Sequence, residues 1–150
     1  MGQSLVQNYV HIVFSTKHRT PWIQAPIEQE LHAYLAGTCK ELGCPAIKVG
    51  GYTDHIHILC RLSSTTTLAQ LLMKVKANSS KWMKGKAPEL AGFGWQNGYG
   101  AFSVSASLVD RVSAYISDQH EHHCKKTFQQ EYRIFLEKYN VAYDEKYVWD

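Results

Sequence analysis

The stretch Ala46-Ile47-Lys48-Val49-Gly50-Gly51-Tyr52, then Thr53-Asp54, then His55-Ile56-His57-Ile58-Leu59-Cys60-Arg61-Leu62 reads as two extended segments joined by a tight turn. Such a pair predicts an antiparallel hairpin. Side chains alternate along a strand, so Ile56, Ile58, Cys60 and Leu62 leave one face while His55, His57, Leu59 and Arg61 leave the other. The two histidines then stand about 6.5 Å apart at Cα with parallel imidazoles. Placing two titratable rings side by side on an apolar strand costs solvation unless something compensates, and a divalent ion would do so. Two half-buried strand histidines without an ion are the plainer reading of the same residues.

Outward from the hairpin, Tyr9 to Ser15 alternates as a strand with both faces largely covered. Ile27, Leu31, Tyr34, Leu35, Thr38 and Leu42 recur at helical spacing after Pro26, with Gly43 closing the run. Thr67 and Gln70 form a capping-box signature before a second helix with Leu68, Leu71, Leu72, Val75, Trp82 and Met83 as its buried stripe. Gly85 to Gly94 reads as a connection and Tyr99 to Ser105 as a fourth strand. Ser107-Leu108-Val109-Asp110 predicts the start of a helix carrying Tyr115 and Gln119. A last helix from Thr127 has the stripe Phe128, Tyr132, Phe135, Leu136 and Tyr139, and the aromatic tail from Val141 to Asp150 is expected to dock on the domain. The order is β-α-β-β-α-β with additional C-terminal helices. This predicts an α+β, ferredoxin-like or RRM-like antiparallel sheet, with one face for helices and one for ligand or partner.

At 150 residues with 45% hydrophobic composition, the chain suits a single domain spanning 1–150. No apolar run approaches the roughly 20 residues of a membrane span, and the start lacks a secretory pattern, so the cytoplasm is the expected compartment. Cys39, Cys44, Cys60 and Cys124 form no C-x-x-C pair and read as reduced thiols. A net charge of +3 is compatible with nucleic acid without requiring it.

Residues four apart on a helix share a side, so Tyr115 and Gln119 should present a phenol and an amide together. Gln119 falls among Leu108, Val112 and Ile116, inside the apolar arc, where an amide needs a partner. A structural glutamine and a boundary tyrosine would look the same. Asp54 reads as a turn residue or as an acceptor orienting His55, and His11 as a packed histidine or a phosphate contact. His120, His122, His123 and Cys124 point in different directions on one helix and read as a solvated C-terminal turn.

His55-Ile56-His57 followed by Tyr115-x-x-x-Gln119 resembles the HUH endonucleases, and more narrowly the single-tyrosine transposases of bacterial insertion sequences and their REP-associated relatives. The likeness extends from Tyr9-Val10-His11-Ile12-Val13-Phe14 through Trp95-Gln96-Asn97-Gly98-Tyr99 to Tyr147-Val148-Trp149. The resemblance implies a transposase that cleaves and rejoins single-stranded DNA at hairpin-marked element ends. In it, His55, His57 and Gln119 hold Mg²⁺ or Mn²⁺, Tyr115 attacks the scissile phosphate, and a 5′-phosphotyrosine forms beside a free 3′-hydroxyl. No nucleotide cofactor is needed. The resemblance also implies a homodimer with active sites shared in trans, Tyr115 and Gln119 coming from one chain and the histidines from the other.

Lys17, Arg19, Lys74, Lys81 and Lys84 are candidate phosphate contacts, although solvated helix faces carry the same residues. Other readings stay open: a non-catalytic or domesticated single-stranded nucleic-acid-binding protein using an aromatic sheet, or another HUH nicking enzyme. A two-histidine phosphoesterase would want two separate H-x-[ST] elements, whereas the chain has one clamp and no second matching element.

Overall fold

The computed structural model describes residues 2–123 and 125–150. Strands β1 (Tyr9–Ser15), β2 (Ala46–Tyr52), β3 (His55–Arg61) and β4 (Gly100–Val104) form one sheet in the order β2-β3-β1-β4. Every pairing is antiparallel. Between the strands run α1 (Ile27–Glu41) and α2 (Leu68–Lys84); after β4 come α3 (Val109–Ser117), α4 (Gln119–His122) and α5 (Phe128–Lys138). The architecture is the expected α+β one.

Local signals account for most boundaries. Gly43 follows α1 with φ 72°, a left-handed conformation that glycine adopts without a Cβ penalty. The Thr67 side chain accepts from the Gln70 amide and the Gln70 side chain accepts from that of Thr67; Thr127 and Gln130 do the same for α5. The start of α3 departs from expectation. Residues Ala106–Leu108 form a 3-10 turn, Leu108 occupies the cap position with no side-chain cap, and Ser107 Oγ pairs instead with Ser105 Oγ.

The pleat divides the molecule into two layers. Val10, Ile12, Phe14, Ile56, Ile58 and Cys60 lie under α1 and α2, whose Leu31, Leu35, Leu71, Leu72, Val75 and Met83 complete the larger core. Cys39, Cys44 and Cys60 are free and buried there, and burial pushes the Cys39 and Cys60 thiols up to about 12. On the other face, Val13 and Phe102 pack with Phe128, Tyr132 and Leu136 of α5, while Leu59 and Val104 pack with Ile116 of α3. That second face is therefore roofed rather than open. Tyr143, Val148 and Trp149 of the tail dock on the α5 cluster, and the Gly98 N–H donates to the Asp150 carbonyl at 2.9 Å. Cys124 lies outside the described residues. Among those residues no helix is long and apolar enough to cross a membrane.

The Trp95–Tyr99 segment is pinned from α2. Trp95 Nε1 donates to Ser79 Oγ at 2.9 Å, and Lys76 Nζ reaches the carbonyls of Gln96, Asn97 and Gly98 at 2.9, 3.1 and 2.6 Å. Burial lowers the Lys76 ammonium to about 8.

Gly50 sets how closely α3 approaches the sheet. A Cβ there would meet Ile116 Cγ2 at 2.6 Å and the Ile116 carbonyl oxygen at 2.7 Å. Because backbone cannot rotate away, Gly50→Ala is expected to push α3 outward and destabilise the fold by about 1–3 kcal/mol. Urea denaturation measures this, and an unchanged midpoint would mean that α3 yields without cost.

Candidate active site

His55 and His57 project from β3 toward α3–α5, and both are fully buried. Four further side chains converge on them. Gln119 Oε1 is 2.9 Å from His55 Nε2, and Glu131 Oε1 is 3.0 Å from His57 Nε2 and 3.6 Å from His55 Nε2. His123 Nε2 donates to Gln119 Oε1 and Glu131 Oε1 at 3.0 and 3.3 Å. The Tyr115 hydroxyl donates to Glu131 Oε2, which also accepts from Gln119 Nε2 at 3.1 Å.

The outer partners of the histidines determine what their inner nitrogens can do. Asp54 Oδ1 lies 2.8 Å from His55 Nδ1, so the carboxylate holds the ring proton on Nδ1 and leaves a lone pair on Nε2. That lone pair faces Gln119 Oε1, another acceptor, because the amide nitrogen of Gln119 is committed to Glu131. Lone pairs of His55, Gln119 and Glu131 thus meet at one place, where a positive charge relieves their repulsion. His57 has a comparable arrangement: His11 Nε2 is 2.8 Å from its Nδ1 and can accept from it, freeing His57 Nε2 for the same place. Asp54 therefore serves both as turn residue and as acceptor. His11 is a buried backing residue.

The donor set suits a divalent ion. One ligand atom each from His55, His57 and Glu131 all lie within 4.8 Å of one another. Ligands bound at roughly 2.1 Å around an octahedral ion are about 3 Å apart, close to the 2.9–3.6 Å separations here. Burial lowers the pKa of His57, favouring the neutral form that coordinates metal. Burial opposes the Glu131 charge, but the hydrogen bond from His123 and the His57 ring beside it outweigh it and hold the carboxyl well below its ordinary range. The Tyr115 phenol is raised, first by burial and then by the Glu131 carboxylate, so it keeps its proton at rest.

These shifts make the site acid-sensitive. Burial, helped by His57, lowers His11 from 6.5 to about 3. On acidification the unfolded chain takes up a proton that the folded chain refuses, so the stabilisation is full above 6.5 and declines toward 3. The metal-free protein is expected to lose about 3 kcal/mol between pH 7 and pH 4 from this ring. Urea unfolding in chelator across that range would show it, and a constant unfolding free energy would mean that His11 is solvated.

Several expectations change in detail. Tyr115 and Gln119 do not share one helix: α3 ends at Ser117, Asp118 is non-helical (φ −94°, ψ 16°), and Gln119 opens α4. Both side chains still reach Glu131. His123 turns into the site with its side chain 3% exposed, instead of lying in a solvated turn, whereas His120 turns away to Glu28 at 2.8 Å. Glu131 escaped the sequence reading. Its signal was present, since it sits three residues after Phe128 and four before Phe135, a carboxylate inside the apolar stripe of α5.

Among the basic candidates, Lys74, Lys81 and Lys84 lie on α2, across the sheet from the histidines, and the fold does not bring them to the site. Arg19 donates to the Trp149 carbonyl at 3.2 Å and lies over its ring, while Lys17 borders a cavity with His18, Asn97 and Trp149. Within one chain Tyr115 already stands beside its own His57, with ring centroids 6.0 Å apart.

The sequence matches the family described as "Transposase IS200 like" over residues 4–119. The chain belongs to this transposase family. Among solved structures, a candidate transposase from Deinococcus radiodurans R1 is similar with a TM-score of 0.62 at 19% identity, over 79% of this chain and 96% of that one. A REP-associated tyrosine transposase bound to a REP hairpin is similar with a TM-score of 0.60 at 10% identity, over 82% and 73% of the two chains. At such identities the likeness concerns the fold. No curated protein matches the sequence.

Proposed function

We propose that this transposase cleaves and rejoins single-stranded DNA by transesterification, with Tyr115 as nucleophile and a divalent cation held by His55, His57, Gln119 and Glu131. The observation that carries this reading is the convergence of buried lone pairs from these residues beside a single phenol. Mg²⁺ or Mn²⁺, the ions that the resemblance implies, would find the carboxylate and amide oxygens suited to them and, when bound, would neutralise charge developing on the scissile phosphate.

The protein residues divide the remaining tasks. Tyr115 Oη attacks phosphorus in line with the departing 3′-oxygen; the phosphorus–oxygen bond to that 3′-oxygen breaks, leaving a 5′-phosphotyrosine, and the 3′-oxygen takes a proton from water to become a 3′-hydroxyl. Glu131 Oε2 accepts the Tyr115 hydrogen bond and orients the phenol, whereas its carboxyl, held well below the ordinary range, is too weak a base to keep the phenolic proton, which passes to water as attack proceeds. Glu131 Oε1 stays with the ligand set. Asp54 and His11 fix the two imidazoles, and His123 steadies both acceptors opposite them. Attack by a second 3′-hydroxyl reverses the step and joins strands with no nucleotide cofactor, because the phosphotyrosine conserves the energy of the broken bond.

A hairpin as the recognised DNA feature is supported by the structural similarity to a transposase bound to a REP hairpin. The position of Tyr115 beside its own His57 favours a site contained in each chain, over the exchange between subunits that the resemblance implied. The deciding experiment incubates the protein with single strands carrying candidate hairpins, with Mg²⁺, Mn²⁺ or chelator, followed by denaturing electrophoresis. A metal-dependent protein–DNA adduct is expected. Binding without any adduct under all conditions would instead favour a non-catalytic binding protein.

A further inference from the structure

The site has a neighbour that the chemistry above does not use. Between α3 and α5 lies a cavity of about 270 Å³ whose floor includes Tyr115, Glu131 and His11. Its wall is aromatic: Phe135 stacks on Phe102 with centroids 5.5 Å apart, Tyr139 stacks on the same ring at 4.8 Å, and Phe135 meets the Tyr115 ring edge-on at 5.7 Å. Arg111 from α3, Lys126 from the segment before α5 and Lys138 from α5 also line it. All three are exposed, and none makes a salt bridge among the described residues. Much of the wall belongs to α5, beyond the 4–119 span of the family match.

We propose that this cavity takes a nucleobase of the single strand next to the scissile phosphate, with Arg111, Lys126 and Lys138 holding the adjoining phosphates. An aromatic slot with cations from three chain segments is how single strands are held without pairing, bases on rings and backbone on positive charge. An apolar ligand would leave the cations unused, and a free anion would leave the rings unused. Because Tyr115 forms the floor, a base seated here brings its neighbouring phosphate to the phenol. The choice of DNA as occupant rests on the transesterase reading.

The test compares a 12-nucleotide oligodeoxythymidylate with a 12-unit abasic strand of the same phosphates, so no recognised sequence need be known. Wild type is expected to bind the thymidine strand about 10-fold more tightly than the abasic one, the effect of one stacked base. Ile134, 48% exposed on the rim, can be enlarged without opening the core. Ile134→Trp should abolish the preference while leaving affinity for the abasic strand unchanged, and the double variant Arg111→Ala, Lys138→Ala should weaken binding of both strands alike. As a check on wild type, a strand carrying 5-iododeoxyuridine should photocrosslink to Phe135 or Tyr139. An unaltered preference in Ile134→Trp, no preference in wild type, or crosslinks confined elsewhere would overturn the proposal. These binding readouts are separate from adduct formation: adducts with an unaltered preference sink the cavity alone, whereas base-dependent binding without adducts sinks the chemistry alone.

Discussion

Tyr115→Phe is expected to reduce the covalent protein–DNA adduct by at least about 10³-fold, since a nucleophile has no partial substitute. Only the hydroxyl oxygen is lost, and the ring keeps its contacts with His57, His122 and Phe135. Glu131 Oε2 would lose one donor but keep Gln119 Nε2, so the fold should lose no more than about 1–2 kcal/mol. DNA binding should persist. Denaturing gels with labelled DNA, beside urea unfolding of the same protein, separate the two effects. Retained adduct would move the nucleophile elsewhere, and the obvious substitutes are badly placed: Tyr132 on α5 is 3% exposed against the sheet and the tail, while Tyr99 packs on the α1/α2 face.

His57→Ala should lower Mn²⁺ affinity by more than about 100-fold, because outer-shell partners alone account for up to that much. It also removes the ring between His11 Nε2 and Glu131 Oε1, leaving buried polar atoms short of a partner at a cost of about 3 kcal/mol. Manganese titration by electron paramagnetic resonance reads the first effect and urea unfolding the second. Unaltered Mn²⁺ binding would remove His57 from the ligand set. Mixing this variant with Tyr115→Phe distinguishes the two assemblies: sites contained in each chain predict no recovery of cleavage, whereas exchange in trans predicts recovery with DNA attached to the His57→Ala chain.

The hairpin that carries the histidines could be read residue by residue. Alternation placed His55 and His57 on one face, β1 and β2 begin and end where the apolar pattern does, and the Thr67 and Thr127 caps mark their helices. Each of these signals is local, set by side-chain direction over a few residues. Gln119 was also legible, as a polar residue in an apolar arc, although the helix expected to carry it breaks at Asp118.

What alternation and helical period cannot express is which faces meet. Lys74, Lys81 and Lys84 formed a plausible basic face until the packing of α2 put them across the sheet from the histidines. His123 looked solvated because the α3/α4 break, which redirects it, has no periodic signature. Glu131 lies 74 positions from His57, and only the docking of α5 over the histidine face brings its carboxylate to 3.0 Å. The strands, the caps, the facing of the two histidines and the place of Asp54 beside His55 follow from backbone geometry within one element, and so are written in the local order of residues. That Glu131, His123 and His11 surround the two histidines arises only on packing, because convergence of groups from separate elements depends on how whole faces meet.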